Sequence, residues 1–195
     1  PSLTQIVYHT NKISQNFYAE TILKSLGAQN NSYGSVSNGV GAVINYFKQK
    51  KVSLHGFFMC DGSGVSRFDA LSAKFLTNML FTYYHDSTMF TSFYNSLPVA
   101  GLDGTLANIS LDVEENSDAS NDSSITVSET KSSGKMQASI HAKSGYMSRV
   151  RSYAGYVKTI SGKTYAFSMI MNNQEWDAIE TRKRLEKLME LMCAL

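Results

Sequence analysis

The chain is poor in cysteine, with only Cys60 and Cys193 among 195 residues and neither in a C-x-x-C pair. They form no disulfide framework and say little about redox compartment. Charge of one sign is also scarce. Lys+Arg number 18 against 16 Asp+Glu, a net charge of +2 with no Lys/Arg block, which argues against nucleic acid as a partner. No apolar run reaches the length needed to cross a bilayer. The four histidines (His9, His55, His85, His141) show neither H-x-x-x-H nor H-x-H spacing, so no protein-built metal site is expected. Gly39-x-Gly41 lacks the third glycine of a dinucleotide fingerprint, and no G-x-x-x-x-G-K-[ST] phosphate loop exists.

What remains is 43% hydrophobic and 17% charged, enough for one domain with a real core. The first ten residues hold no basic segment followed by an apolar one, so no secretory signal is expected within them. Leu3, Ile6, Val7 and Thr10 instead follow helical spacing. A chain that opens inside a patterned helix fits a piece of something longer, and the same pattern fits an ordinary N-terminal helix.

Further helices are expected around Ala19, Leu23 and Leu26, with Gly27 as C-cap, and around Val40, Val43, Ile44 and Phe47. His55–Cys60 is a short apolar run stopped by the turn Asp61-Gly62-Ser63-Gly64, and 71–84 reads as a helix. From 112 to 134 Asp, Glu, Ser and Asn dominate, as in a solvated insert or loop. Met136, Ala138, Ile140 and Ala142 then alternate with polar residues, the period of a strand. Two more strands are expected over 151–159 and 163–171, joined by a turn at Ser161-Gly162. Leu185, Leu188, Met189 and Met192 mark a final helix. The order predicts an α+β domain over 1–195, an antiparallel sheet with flanking helices and the last helix on one face.

Lys143-Ser144-Gly145 is the foremost candidate for chemistry, placed at the end of the alternating strand with Lys143 opposite the core set. A lysine and a hydroxyl there can hold a carboxylate by charge-assisted hydrogen bonds, and glycine lets a ligand approach the backbone. The bland alternative is an exposed lysine before a Ser-Gly turn. Ser14-x-Asn16 pairs a hydroxyl that can relay a proton with an amide that can hold a carbonyl; otherwise it is a helix N-cap. Asp61-Gly62-Ser63-Gly64 fails the G-x-S-x-G frame of a nucleophile elbow. Ser132-x-x-Lys135 matches S-x-x-K but lies in the polar insert, without the rigid helix start an active Ser/Lys pair needs.

Those two motifs stand in a longer context: HTNKISQNFYAETILKSLG, DGSGVSRFDALSAKFL, SLPVAGLDGTL, AKSGYM and SYAGYVKTISGKTYAFSMIMN. In that order the blocks resemble the class C low-molecular-mass penicillin-binding proteins, the D-alanyl-D-alanine carboxypeptidase/endopeptidase family, across nearly the whole chain except the acidic insert. Ser14-Gln15-Asn16 and Lys143-Ser144-Gly145 stand as the second and third elements of the S-x-x-K, S-D-N, K-T-G signature. The family's S-x-x-K element belongs well upstream of Ser14, before the first of these 195 residues, and Ser144 replaces the usual threonine.

The resemblance implies the C-terminal portion of a penicillin-binding/β-lactamase-like transpeptidase domain. It implies an acyl-serine reaction on the D-Ala-D-Ala carbonyl of peptidoglycan stem peptides, with Ser14, Asn16 and Lys143 as catalytic residues and the nucleophilic serine and its lysine outside this chain. Ser14 would pass the proton to the leaving D-alanine and Asn16 would bind the substrate amide. Lys143 and Ser144 would hold the terminal carboxylate at a strand kept open by Gly145, and the Tyr146 N–H would be an oxyanion donor. β-Lactams would act as covalent inhibitors, with no cofactor required. The location would be periplasmic or otherwise extracytoplasmic. A partner segment or another chain would cover an open sheet edge, and the fragment alone would be inactive. A serine β-lactamase-like hydrolase and a non-catalytic scaffold of the same fold are the alternatives.

Overall fold

The computed structural model describes residues 1–30, 33–109, 138–175 and 177–195. The acidic insert at 112–134 and Ser132-x-x-Lys135 lie outside the described residues, as do the first alternating positions at 136–137.

Five helices come first: α1 (Leu3–Ile13), α2 (Asn16–Asn30), α3 (Val36–Gln49), α4 (Ala73–Tyr84) and α5 (Phe90–Ser96). A two-stranded ribbon of β1 (Phe57–Phe58) and β2 (Ala70–Leu71) interrupts them. Side chains start these helices where the sequence has hydroxyls. Ser2 and Gln5 form a reciprocal capping box on α1, and Ser35 and Ser72 cap α3 and α4. Of the 55–60 run only Phe57 and Phe58 pair as a strand, and Leu71 belongs to β2, so α4 begins at Ala73.

Gly27 does not end α2, which continues to Asn30. A Cβ on Gly27 would lie 2.7 Å from the Gly39 backbone nitrogen, and one on Gly39 would lie 2.2 Å from the Leu23 carbonyl oxygen. The two glycines let α2 and α3 touch backbone to backbone, so packing has replaced the expected cap.

The sheet is an antiparallel meander of β3 (Ser139–Met147), β4 (Val150–Lys158) and β5 (Thr164–Met171), in that spatial order. Its second hairpin closes through Ile160-Ser161-Gly162, with Gly162 at φ 81° and Thr159 N–H donating to the Lys163 carbonyl at 2.9 Å. That is a three-residue loop with glycine in the left-handed position. Lys143 does not end β3 as expected. Ser144 and Gly145 remain paired with Tyr153 and Ser152, and Lys143 sits mid-strand.

One face of the sheet carries Ile140, Ala142, Tyr153, Val157 and Phe167 against Leu185, Met189 and Cys193 of α6 (Ala178–Cys193). Leu188 is half exposed and lies off that stripe. The opposite face is covered as well, where Tyr156 packs with Leu80 and Leu97 and donates its O–H to the Leu80 carbonyl at 2.7 Å. Helices therefore flank both faces. The outer edge of β3 is partly closed by residues 98–100: Ala142 N–H donates to the Pro98 carbonyl (2.9 Å) and Ala100 N–H to the Ile140 carbonyl (3.0 Å). Among the described residues no strand pairs with the outer edge of β5. No described helix is long and apolar enough to cross a membrane.

Candidate functional site

Helix α1 ends at Ser14, which takes the left-handed conformation (φ 58°, ψ 53°) while its N–H closes the last turn on the Thr10 carbonyl. A non-glycine residue there costs about 1–2 kcal/mol, so something must hold it. Ser14 is thus the C-cap of α1 and not an N-cap, and Asn16 is the first residue of α2, exposed to solvent.

Across the gap stands Lys143, whose side chain leaves β3 on the face shared with Ala154 and Tyr156. Its Nζ donates to Ser14 Oγ at 2.8 Å and to the Ser144 carbonyl at 2.8 Å. These residues are 129 positions apart in the chain. Burial, which strips water from the ammonium, pushes the Lys143 pKa down from 10.5 to about 8. A half-buried cation near neutral pH with two donors spent on Ser14 and Ser144 retains a third for a ligand.

Ser144 turns its hydroxyl to Thr105 Oγ1 at 2.9 Å. Gly145 faces its cross-strand neighbour closely, and a Cβ there would come within 2.5 Å of Ser152 Oγ, so the serine hydroxyl would have to rotate away. The exposed Tyr146 ring lies under the Arg151 guanidinium, 4.7 Å from centroid to Cζ, on the sheet face away from Lys143. Its backbone is placed differently. The N–H of Ala142 points to the outer edge of β3, and antiparallel alternation directs the N–H groups of Ser144 and Tyr146 to that same edge. The structure therefore brings Ser14, Lys143, Ser144 and the edge of Gly145-Tyr146 together, with Asn16 two residues from Ser14.

Three neighbours escaped the sequence reading. Lys12, 7% exposed, donates from Nζ to both Asp103 oxygens (2.8 and 2.7 Å) and to the Leu97 carbonyl (2.6 Å). Asp103 also accepts the Val99 N–H, and Thr105 follows in a 3-10 turn, Gly104–Leu106. A lysine in the last turn of a short helix ordinarily reads as a solvated partner of the helix dipole, which hid Lys12. The Asp-Gly of the DGT triplet was the available signal for a structured turn.

The discarded motif behaves as a turn. Asp61 accepts N–H bonds from Gly64, Val65 and Ser66, and Glu20 of α2 accepts from Gly62 and Ser63 at 3.0 Å each. Among the described residues no three His, Cys, Asp or Glu gather as a metal site.

Residues 1–192 match the sequence profile of the D-Ala-D-Ala carboxypeptidase 3 (S13) family. The chain belongs to that family. It is 27% identical over 186 residues to the penicillin-sensitive carboxypeptidase A of Dictyostelium discoideum, covering 89% of this chain and 30% of the relative. It is 28% identical over 181 residues to the D-alanyl-D-alanine carboxypeptidase of an Actinomadura species, covering 90% and 29%. The structure of penicillin binding protein 4 from Haemophilus influenzae, complexed with a β-lactam, superposes with a TM-score of 0.73 at 19% identity, covering 96% of this chain and 40% of that one. That likeness shows the fold, α+β with an antiparallel sheet between helices. This family member spans about 30% of the length of the curated relatives it matches.

Proposed function

We propose that these residues form the proton-relay and carboxylate-binding side of a serine-type D-alanyl-D-alanine carboxypeptidase/endopeptidase. The nucleophilic serine and its lysine base come from residues outside the 195. The Ser14–Lys143 hydrogen bond at 2.8 Å, between the two motifs singled out in the sequence, carries this reading.

The reacting serine attacks the carbonyl of the D-Ala-D-Ala bond and forms an acyl ester. The proton that the lysine base takes from the attacking serine returns by way of Ser14 Oγ, held by the Lys143 ammonium, which takes up one proton as it gives one to the departing D-alanine nitrogen. Asn16, on the same corner between α1 and α2, binds the substrate amide. The substrate's terminal carboxylate lies against the free donor of Lys143 and the hydroxyl of Ser144, a charge-assisted arrangement. The outward N–H of Tyr146 stabilises the oxyanion. Water then releases the acyl group. A β-lactam carries a carboxylate and a reactive carbonyl in similar relation, so it acylates the same serine. The substrate is a peptidoglycan stem peptide, met outside the cytoplasm.

Intact-mass measurement after incubation with a penicillin tests the reading. The full-length protein should gain one stoichiometric acyl group on a serine outside residues 1–195, and the 195-residue chain alone should gain none. An adduct on Ser14 or on any other serine of this chain would refute it. In the full-length enzyme, Lys143→Ala should slow acylation by roughly ten- to a hundredfold, as expected for a lost hydrogen bond to a charge.

A further inference from the structure

We propose that the turn Asp103-Gly104-Thr105 is a positioning clamp that holds Ser14 and Ser144 in register with each other. The proposal rests on the carboxypeptidase reading and extends it to residues outside both motifs.

Two contacts key this turn to the end of α1. The buried Lys12 ammonium binds both Asp103 oxygens, and Lys12 lies two residues before Ser14. Gly104, at φ 60°, rests on α1 so closely that a Cβ would meet the Lys12 carbonyl oxygen at 2.6 Å. Lys12 also reaches the Leu97 carbonyl, just before the segment that pairs with the outer edge of β3. The charge pair and the backbone approach fix the turn to the helix end from two directions.

The other end of the turn touches the sheet. Thr105 Oγ1 lies 2.9 Å from Ser144 Oγ, and a threonine hydroxyl both donates and accepts. With the site empty, Ser144 donates to Thr105. When a carboxylate takes the Ser144 proton as its hydrogen bond, Thr105 rotates to donate to Ser144 Oγ. The chain then runs Thr105 O–H to Ser144 O–H to carboxylate, each bond polarising the next, with no proton transferred. Thr105 and Asp103 are positioning residues in this scheme, acting through Ser144 and Ser14 respectively.

The test uses the full-length enzyme and a D-Ala-D-Ala peptide, with kcat and KM measured alongside the thermal midpoint. Thr105→Val should lower kcat/KM by about three- to tenfold, the worth of one hydrogen bond, mainly through KM. Thr105 is exposed, so the midpoint should stay put, and Thr105→Ser should restore activity. In a Ser144→Ala background, Thr105→Val should cost nothing more. Asp103→Asn, which keeps the shape and removes the charge opposite Lys12, should lower kcat. Its KM should stay nearer the wild-type value, because Ser14 acts on the leaving group. Full activity of Thr105→Val, or an equal loss with and without Ser144, overturns the clamp. A wild-type enzyme that neither cleaves the peptide nor takes up penicillin overturns the carboxypeptidase reading and the clamp with it. The two failures are distinct, since one appears in the wild type and the other only in the variants.

Discussion

Raising the pH above neutrality perturbs the candidate site at one atom, Nζ of Lys143. Burial has brought its pKa to about 8, so the ammonium is about nine-tenths charged at pH 7 and about one-tenth charged at pH 9. If the charged form holds the substrate carboxylate, kcat/KM should fall by about tenfold per pH unit above 8, because kcat/KM reports groups of the free enzyme. The fall should level off after roughly ten- to a hundredfold, when the worth of one charged hydrogen bond is lost. Lys143→Arg supplies the control. A guanidinium stays charged throughout, so its profile should lack this alkaline limb even if its plateau is lower. The assay is hydrolysis of a D-Ala-D-Ala peptide by the full-length enzyme from pH 6 to about 10 at constant ionic strength. A flat wild-type profile, or a limb near 8 that survives Lys143→Arg, would refute the assignment. Stability moves in the other direction. The unfolded chain keeps the Lys143 proton up to about 10.5 and the folded chain only to about 8, so the unfolded state binds more protons between these values. Stability therefore rises with pH across that window.

Two glycines of α3 should respond to alanine with opposite signs. At Gly39 the new Cβ would sit 2.2 Å from the Leu23 carbonyl, and thermal denaturation should show a loss of about 1–3 kcal/mol. At Gly41 nothing lies within 4 Å, and the helix should gain about 0.5–1 kcal/mol; equal shifts would show that the α2–α3 contact is not tight. Tyr156→Phe removes the 2.7 Å bond to the Leu80 carbonyl and should cost about 1 kcal/mol in urea titration, whereas an unchanged midpoint would show that the bond adds nothing.

The meander was readable because a period of two is a local property: Ile140 and Ala142 against His141 and Lys143 announce a strand without reference to any other residue. Capping hydroxyls at Ser2, Ser35 and Ser72 are local in the same way. Gly27 misled because a glycine after an apolar stripe reads as a stop, while its partner Gly39 lies in the next helix. The face of His141, Lys143, Ser152 and Ala154 looks solvent-facing from composition, and only the arrival of α4 and α5 on Tyr156 makes it interior. Residue chemistry marks the two motifs as candidates and the resemblance sets them above the bland readings, but their meeting requires the fold. Lys12 and Asp103, 91 residues apart and individually unremarkable, carry no local mark of their pairing.

The contact between Lys143 and Ser14 also sets when the site can exist during folding. The β3–β4 hairpin grows outward from its turn, where Met147 pairs with Val150, to Ser139 opposite Lys158, but this hydrogen bond closes a loop of 129 residues. Closing it costs roughly (3/2)RT ln n, about 4 kcal/mol before any constant, which one hydrogen bond cannot offset. The helices and the meander must therefore form and dock before Nζ finds Oγ. An assembly intermediate with an intact sheet and intact helices would look native by circular dichroism and still lack the Lys143–Ser14 contact. Ligand binding, more than secondary structure, is the faithful reporter of a finished molecule.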